Sequence, residues 1–139
     1  MLDSMTDLES RLAGALSVGL NEALGLAFVD ENDPRAGMSM TVEGLVETPH
    51  GGAHAAAIQA LLDVCCFVEV MPHLAEDEHA VSVATQFQLI GATAPGSTLV
   101  ATASLDRRTR KLAFLTAEAR VDGEVVSRAQ ITKAVVRRR

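Results

Sequence analysis

Thr48-Pro49-His50-Gly51-Gly52-Ala53-His54-Ala55-Ala56-Ala57-Ile58-Gln59-Ala60-Leu61-Leu62-Asp63 is the stretch that decides how this chain folds. A glycine-bearing turn opens a segment, 53–70, that reads as a helix apolar almost all the way round. That helix carries a carboxylate, Asp63, in its middle. A helix with no polar face has to be buried. A carboxylate buried with it is costly unless it is paired, hydrogen-bonded or used. Asp63 therefore stands where stability alone does not ask for an acid.

The flanking sequence supplies a sheet to bury that helix. Thr6-Asp7-Leu8-Glu9 is a capping-box pattern, and Leu8, Leu12, Ala15, Leu16 and Leu20 follow at helical spacing, so 6–24 reads as an amphipathic helix. A short strand over 26–30 leads to the turn Glu31-Asn32-Asp33-Pro34. From Ala36 to about Glu47, alternating apolar residues give a half-buried strand. Beyond the central helix, Val81, Val83, Thr85, Phe87 and Leu89 alternate in a long strand, and 99–105 forms another after Ala94-Pro95-Gly96. Strands over 112–121 and 125–136 are joined by the hairpin pair Asp122-Gly123. The last three strands form a meander, so the sheet is mostly antiparallel. The expected architecture is α+β: a long antiparallel sheet wrapped around the helix at 53–70. Such a sheet has exposed edges that a partner chain would complete. One domain spans 1–139, with the N-terminal helix in 1–24 and the core in 25–137.

Composition narrows the function. The chain has 139 residues, 48% apolar, enough for one core. It has four Phe and no Tyr or Trp, which argues against a base-stacking nucleic-acid surface. The segment 53–68 is Ala-rich and interrupted by His54, Gln59 and Asp63, so no membrane span is expected. Acids stand where a signal peptide would be basic. Cys65 and Cys66 are neighbours that point apart on a helix, and read as small core residues in a reducing cytosol. His50, His73 and His79 show no metal-ligand spacing, so no metal site is expected. Net charge is −6, but unevenly spread: 1–105 holds 14 acids and 2 bases (−12), and 106–139 holds 4 acids and 10 bases (+6). A basic end on an acidic body suits an anionic ligand. Arg107-Arg108-Thr109-Arg110-Lys111, in an expected turn, is the nearest candidate for such a contact, although solvated strand ends would look the same.

At the turn and helix start, the first N–H groups of the helix have no partner within it. They sit at its positive end and suit an anion or a developing oxyanion. Asp63 could then act as nucleophile or as general base for water. The alternative is an ordinary turn at Gly51-Gly52, with Asp63 capping a neighbouring backbone or facing a wet interface. His54, lacking an evident acid partner, reads more readily as a structural hydrogen-bonder than as a base.

The spacing Thr48, Gly51, His54, Ala55, Ala56 and, nine residues after the histidine, Asp63 resembles the motif of the hotdog-fold acyl-CoA thioesterases, PaaI-like branch. Val81-Ser82-Val83, Lys111-Leu112-Ala113-Phe114 and Thr132-Lys133 add to it over roughly 20–136. The resemblance implies a hotdog fold, edge-to-edge dimers that often pair into tetramers, and a site between subunits. It implies hydrolysis of an acyl-CoA thioester to a carboxylic acid and free coenzyme A, with no cofactor beyond the coenzyme A of the substrate. It assigns the Ala55 N–H to the thioester oxygen and Asp63, from the partner chain, as the catalytic carboxylate. Thr48, Gly51 and His54 then belong to the catalytic loop, and Ser82 helps to place water or the carboxylate. Arg107, Arg108, Arg110 and Lys111 are candidates for the coenzyme A phosphates. The implied location is cytoplasmic.

Three positions depart from the motif: Thr48 replaces Asn, Ala55-Ala56 replaces Gly-Gly, and Ala84 replaces a polar residue. They leave a non-catalytic acyl-CoA or lipid-binding hotdog protein as the alternative. A hydratase ranks last, because nine positions put His54 and Asp63 about 180° apart on an ideal helix. Phe67, Met71, Phe87, Leu89 and Phe114 are candidates for the acyl pocket, each equally readable as core.

Overall fold

A computed structural model describes residues 2–138, with side chains from residue 8 onward. The elements run α1 (Leu2–Ser17), α2 (Gly19–Ala23), β1 (Ala27–Phe28), β2 (Met38–Thr41), α3 (Ala55–Val70), β3 (Glu78–Leu89), β4 (Thr98–Arg108), β5 (Leu112–Val121) and β6 (Glu124–Arg137). The strands make one antiparallel sheet in the order β1-β2-β4-β5-β6-β3. The meander of β4, β5 and β6 is as expected. β3 precedes it in sequence, yet it lies beyond β6 and forms an edge.

The sheet closes on α3 because its inner face is made of small and branched residues at period two. On β5 these are Ala113, Leu115, Ala117 and Ala119, all buried. Alanines let the sheet approach the helix, whose Ile58, Leu61, Leu62, Cys65, Cys66 and Val68 fill the gap. Leu61 and Leu62 have no exposed surface, and truncation of either to alanine costs about 2–5 kcal/mol. Ala55–His73 is long and apolar enough to cross a membrane by composition, and most of it is buried against the sheet.

Three sequence expectations are corrected here. The single helix over 6–24 breaks at Val18, whose backbone is extended (φ −61°, ψ 131°). Ser17-Val18-Gly19 is a run of weak helix formers. Leu20, on the far side of the break, leaves the apolar stripe and is exposed. Asn21 is buried there and donates from Nδ2 to the Ala15 carbonyl (2.8 Å), an acceptor left over at a helix end. The side chains of Thr6 and Asp7 in the expected capping box lie outside the described residues, but the helix itself starts upstream, at Leu2. The expected strand from Ala36 to Glu47 shortens to Met38–Thr41, since Pro34–Ala36 and Gly44–Val46 are tight helical turns. Lastly, α3 is not enclosed on every side. Ala56, Gln59, Ala60, Asp63 and Phe67 form a partly open stripe at helical spacing. Its alanines and phenylalanine gave no polar signal in the sequence.

Candidate active site

The loop before α3 is held by short-range bonds. Thr48 N–H donates to Gly52 O (2.7 Å), Gly51 N–H to Thr48 O (2.9 Å), and His50 N–H to the Thr48 hydroxyl (3.3 Å). Gly51 takes φ +93°, where a side chain would be strained, and a Cβ there would lie 3.1 Å from Pro95 Cγ. Ala53 N–H donates to Thr93 Oγ1 (2.8 Å), and His54 N–H to Val46 O (2.8 Å). Both Ala57 and Ile58 donate to the His54 carbonyl. Ala55 and Ala56 open the helix, and among the described residues nothing accepts from their N–H groups. Two backbone donors are thus presented at an exposed helix N-terminus, as an oxyanion requires.

Asp63 lies two turns further along, with its side chain 47% exposed. Ser82 Oγ donates to Asp63 Oδ1 (2.5 Å). Lys133 Nζ donates to Ser82 Oγ (2.8 Å) and to Asp63 Oδ1 (3.3 Å). The Lys133 side chain is only 3% exposed. Among the described residues no hydrogen bond engages Asp63 Oδ2. The other acid of α3, Glu69, is buried and held by Arg35 through Nη2–Oε1 (2.7 Å) and Nε–Oε2 (3.2 Å). Glu69 is a closed structural pair, whereas Asp63 keeps one oxygen open.

Ser82 meets Asp63 because β3 changes parity. Ser82 pairs with Lys133 and Ala84 with Thr132, so Val83 is an extra residue at a bulge. Before the bulge, Ala80 and Ser82 face the helix. After it, Phe87 packs on the core. The uniform alternation expected from Val81 to Leu89 is corrected accordingly: Val81, Val83 and Leu89 are exposed.

A cavity of about 390 Å³ opens beside Asp63, between α1, α3 and the start of β3. Ala15, Val18, Val64 and Phe67 give it apolar walls; His79 and Asn21 add polar groups. The His79 ring meets Phe67 edge-on (6.2 Å). Burial, with the cations Arg11, Arg138 and Lys133 nearby, holds its imidazole below the ordinary value, which favours the neutral form.

The other expected residues are dispersed. Thr48's hydroxyl is engaged in the loop turn rather than aimed at Asp63. His54 is exposed, its side chain caps no helix N–H, and among the described residues that side chain makes no hydrogen bond. Arg107, Arg110 and Lys111 are exposed. Arg108 is paired with Glu78 through Nη2–Oε1 (2.8 Å), so a phosphate would compete with that carboxylate for it. Of the five acyl-pocket candidates only Phe67 lines the cavity; Met71 is core, and Leu89 is exposed. Burial pushes both Cys65 and Cys66 thiols up to about 12, in keeping with inert core positions. Among the described residues no cluster of His, Cys, Asp and Glu could hold a metal. The sequence signal for Lys133 is weak: it is a charge at period two after the apolar Ala129 and Ile131, on the face of β6 that turns toward the core.

Residues 37–139 match the family model described as fluoroacetyl-CoA-specific thioesterase. No curated protein matches this chain in sequence. Among solved structures, a thioesterase from Haemophilus influenzae aligns at TM-score 0.78 with 16% identity, over 89% of this chain and 87% of that one. A Bacillus halodurans protein solved with coenzyme A aligns at 0.77 with 19% identity, over 96% and 91%. A variant of the phenylacetic acid degradation protein PaaI from Thermus thermophilus aligns at 0.68 with 21% identity, over 81% and 95%. At these identities the likeness establishes the fold, a hotdog, with β3 at its open edge.

Proposed function

The chain belongs to the fluoroacetyl-CoA-specific thioesterase family and is a thioester hydrolase, and from that premise we propose that it cleaves an acyl-CoA with Asp63 as the reacting carboxylate. One observation carries the reading: Asp63 is anchored through Oδ1 by Ser82 and Lys133, while Oδ2 stays open beside a cavity. The Ala55 N–H is the oxyanion donor. Eight helical positions separate it from Asp63, about 12 Å along the axis, too far for both to reach one carbonyl. The donor acting with Asp63 therefore belongs to Ala55 of the partner subunit. The open edge of β3, with Val81 and Val83 exposed on it, is the surface where two protomers join. Pairing of two dimers into a tetramer extends the same reading.

Attack by Asp63 Oδ2 on the carbonyl carbon, or by water whose proton passes to Oδ2, produces a tetrahedral oxyanion. Collapse breaks the carbon–sulfur bond. On the water route the proton held on Oδ2 passes to the leaving sulfur, giving the carboxylic acid and the coenzyme A thiol; on the nucleophilic route coenzyme A leaves as a thiolate that takes a proton from solvent, and a water then hydrolyses the acyl-Asp63 anhydride to the carboxylic acid and free Asp63. The Ser82 hydroxyl keeps the carboxylate oriented throughout. Arg107, Arg110 and Lys111, exposed around the β4–β5 turn, and Arg108 beside them are the candidates to meet the phosphates. Adjacent buried thiols fit a reducing compartment, the cytoplasm.

The test is thioester hydrolysis with a thiol-trapping reagent over short, medium, long and aryl acyl-CoAs, with fluoroacetyl-CoA among them. Asp63→Asn is expected to abolish turnover while the protein stays folded. Wild-type turnover in that variant would remove Asp63 from the reaction. Label found in Asp63 after a single turnover in heavy-oxygen water would mark the nucleophilic route, since it enters only when water opens the anhydride at the aspartyl carbonyl. Saturable acyl-CoA binding with no turnover on any substrate would favour the non-catalytic reading instead, in which the crowding methyls of Ala55 and Ala56 at the helix start are the feature to suspect.

A further inference from the structure

We infer that Lys133 is a positioning residue for the hydrolysis, one that fixes the direction of a Lys133–Ser82–Asp63 hydrogen-bond chain and so selects which carboxylate oxygen reacts. The inference rests on the assignment of Asp63 above. An ammonium donates and cannot accept. Lys133 Nζ is 2.8 Å from Ser82 Oγ, so Ser82 accepts there. Its own single proton must then go elsewhere, and Asp63 Oδ1 at 2.5 Å is the acceptor in reach. The second contact of Lys133, to Oδ1 at 3.3 Å, loads the same oxygen again. Oδ1 is held by two donors, one of them cationic, which leaves Oδ2 as the more basic atom and the one toward open space. The Ser82 hydroxyl proton is committed to Asp63, so Ser82 orients and does not attack.

Stability does not explain this lysine. A buried ammonium is strongly penalised by desolvation, and an apolar chain of the same length would serve a core position as well or better. Its neighbours on β6, Ile131 and Ala129, are buried apolar residues. The gain from a lysine lies in geometry: a carboxylate on an exposed helix stripe otherwise samples several rotamers, and a reacting group displaced by about 1 Å can lose on the order of 100-fold in rate.

Lys133→Met in the full chain tests this. The expected result is a fall in kcat of roughly 10- to 100-fold with KM changed less than about two-fold, and thermal stability equal to wild type or higher. Lys133→Ala opens space on the cavity wall that Lys133 lines, and added alkylammonium ions should restore rate saturably where alcohols of equal length do not. Unchanged kcat in Lys133→Met, or a loss that follows unfolding and is not rescued by amine, would overturn the inference. Asp63→Asn run alongside separates the two readings. If it keeps wild-type turnover, the assignment of Asp63 fails and the inference falls with it. If it is inactive while Lys133→Met is fully active, only the inference falls.

Discussion

Ala55→Pro isolates the oxyanion donor with unusual cleanness. Ala55 is the first residue of α3, where proline is favoured because no intrahelical bond uses that N–H. The preceding residue, His54, already has the extended backbone that a following proline demands, at φ −59° and ψ 133°. Ala55 is exposed, which leaves room for the ring. The fold should therefore change by no more than about 1 kcal/mol, and in either direction. Removal of one oxyanion donor, by contrast, costs roughly 100- to 1,000-fold in kcat. Complementation then tests the shared site. If Ala55 and Asp63 act across the dimer, a mixed dimer of Ala55→Pro and Asp63→Asn protomers has one intact site and one doubly damaged one. Equal mixing puts half the protomers in such dimers, so activity should return to about a quarter of wild type. The assay is thiol release before and after co-refolding of the two inactive variants, with native mass spectrometry to confirm exchange. No recovery despite exchange would refute a composite site, and undiminished turnover by Ala55→Pro alone would refute the donor.

Two further outcomes follow from the same geometry. Gly51→Ala forces a side chain into φ +93° with its Cβ 3.1 Å from Pro95, so urea unfolding should register a loss of about 1–2 kcal/mol, and turnover should fall further as Ala55 shifts. The native protein should give no thiol signal with an aromatic disulfide near pH ~8, since Cys65 and Cys66 are buried with thiols pushed up to about 12, and two equivalents per chain after unfolding; a rapid native reaction would contradict the packing of α3.

Some of the site was legible in advance because it is local. The helix start, Gly51 and Asp63 lie within thirteen residues of one another, and helical geometry fixes their relative places. The basic turn was less legible. Arg107, Arg108, Arg110 and Lys111 look alike in sequence, yet only Arg108 meets Glu78, thirty residues away on a strand three places along the sheet. Val83 was misassigned for a related reason: a bulge is an agreement between two strands, and no period in one strand announces it.

The sequence by itself determined that a long apolar helix would pack under a period-two sheet, that this helix would carry an acid in its middle, and that Asp122-Gly123 would turn the last hairpin, where both residues indeed take positive φ. These properties follow from burial and backbone sterics, which act over a few residues. Only the tertiary structure decided that β3 would lie beyond β6 at the sheet edge, and that its register would set Ser82 opposite Lys133. That pairing brings an ammonium seventy residues away onto Asp63. Polar partnership depends on strand order and register, and both are settled by how the whole core packs.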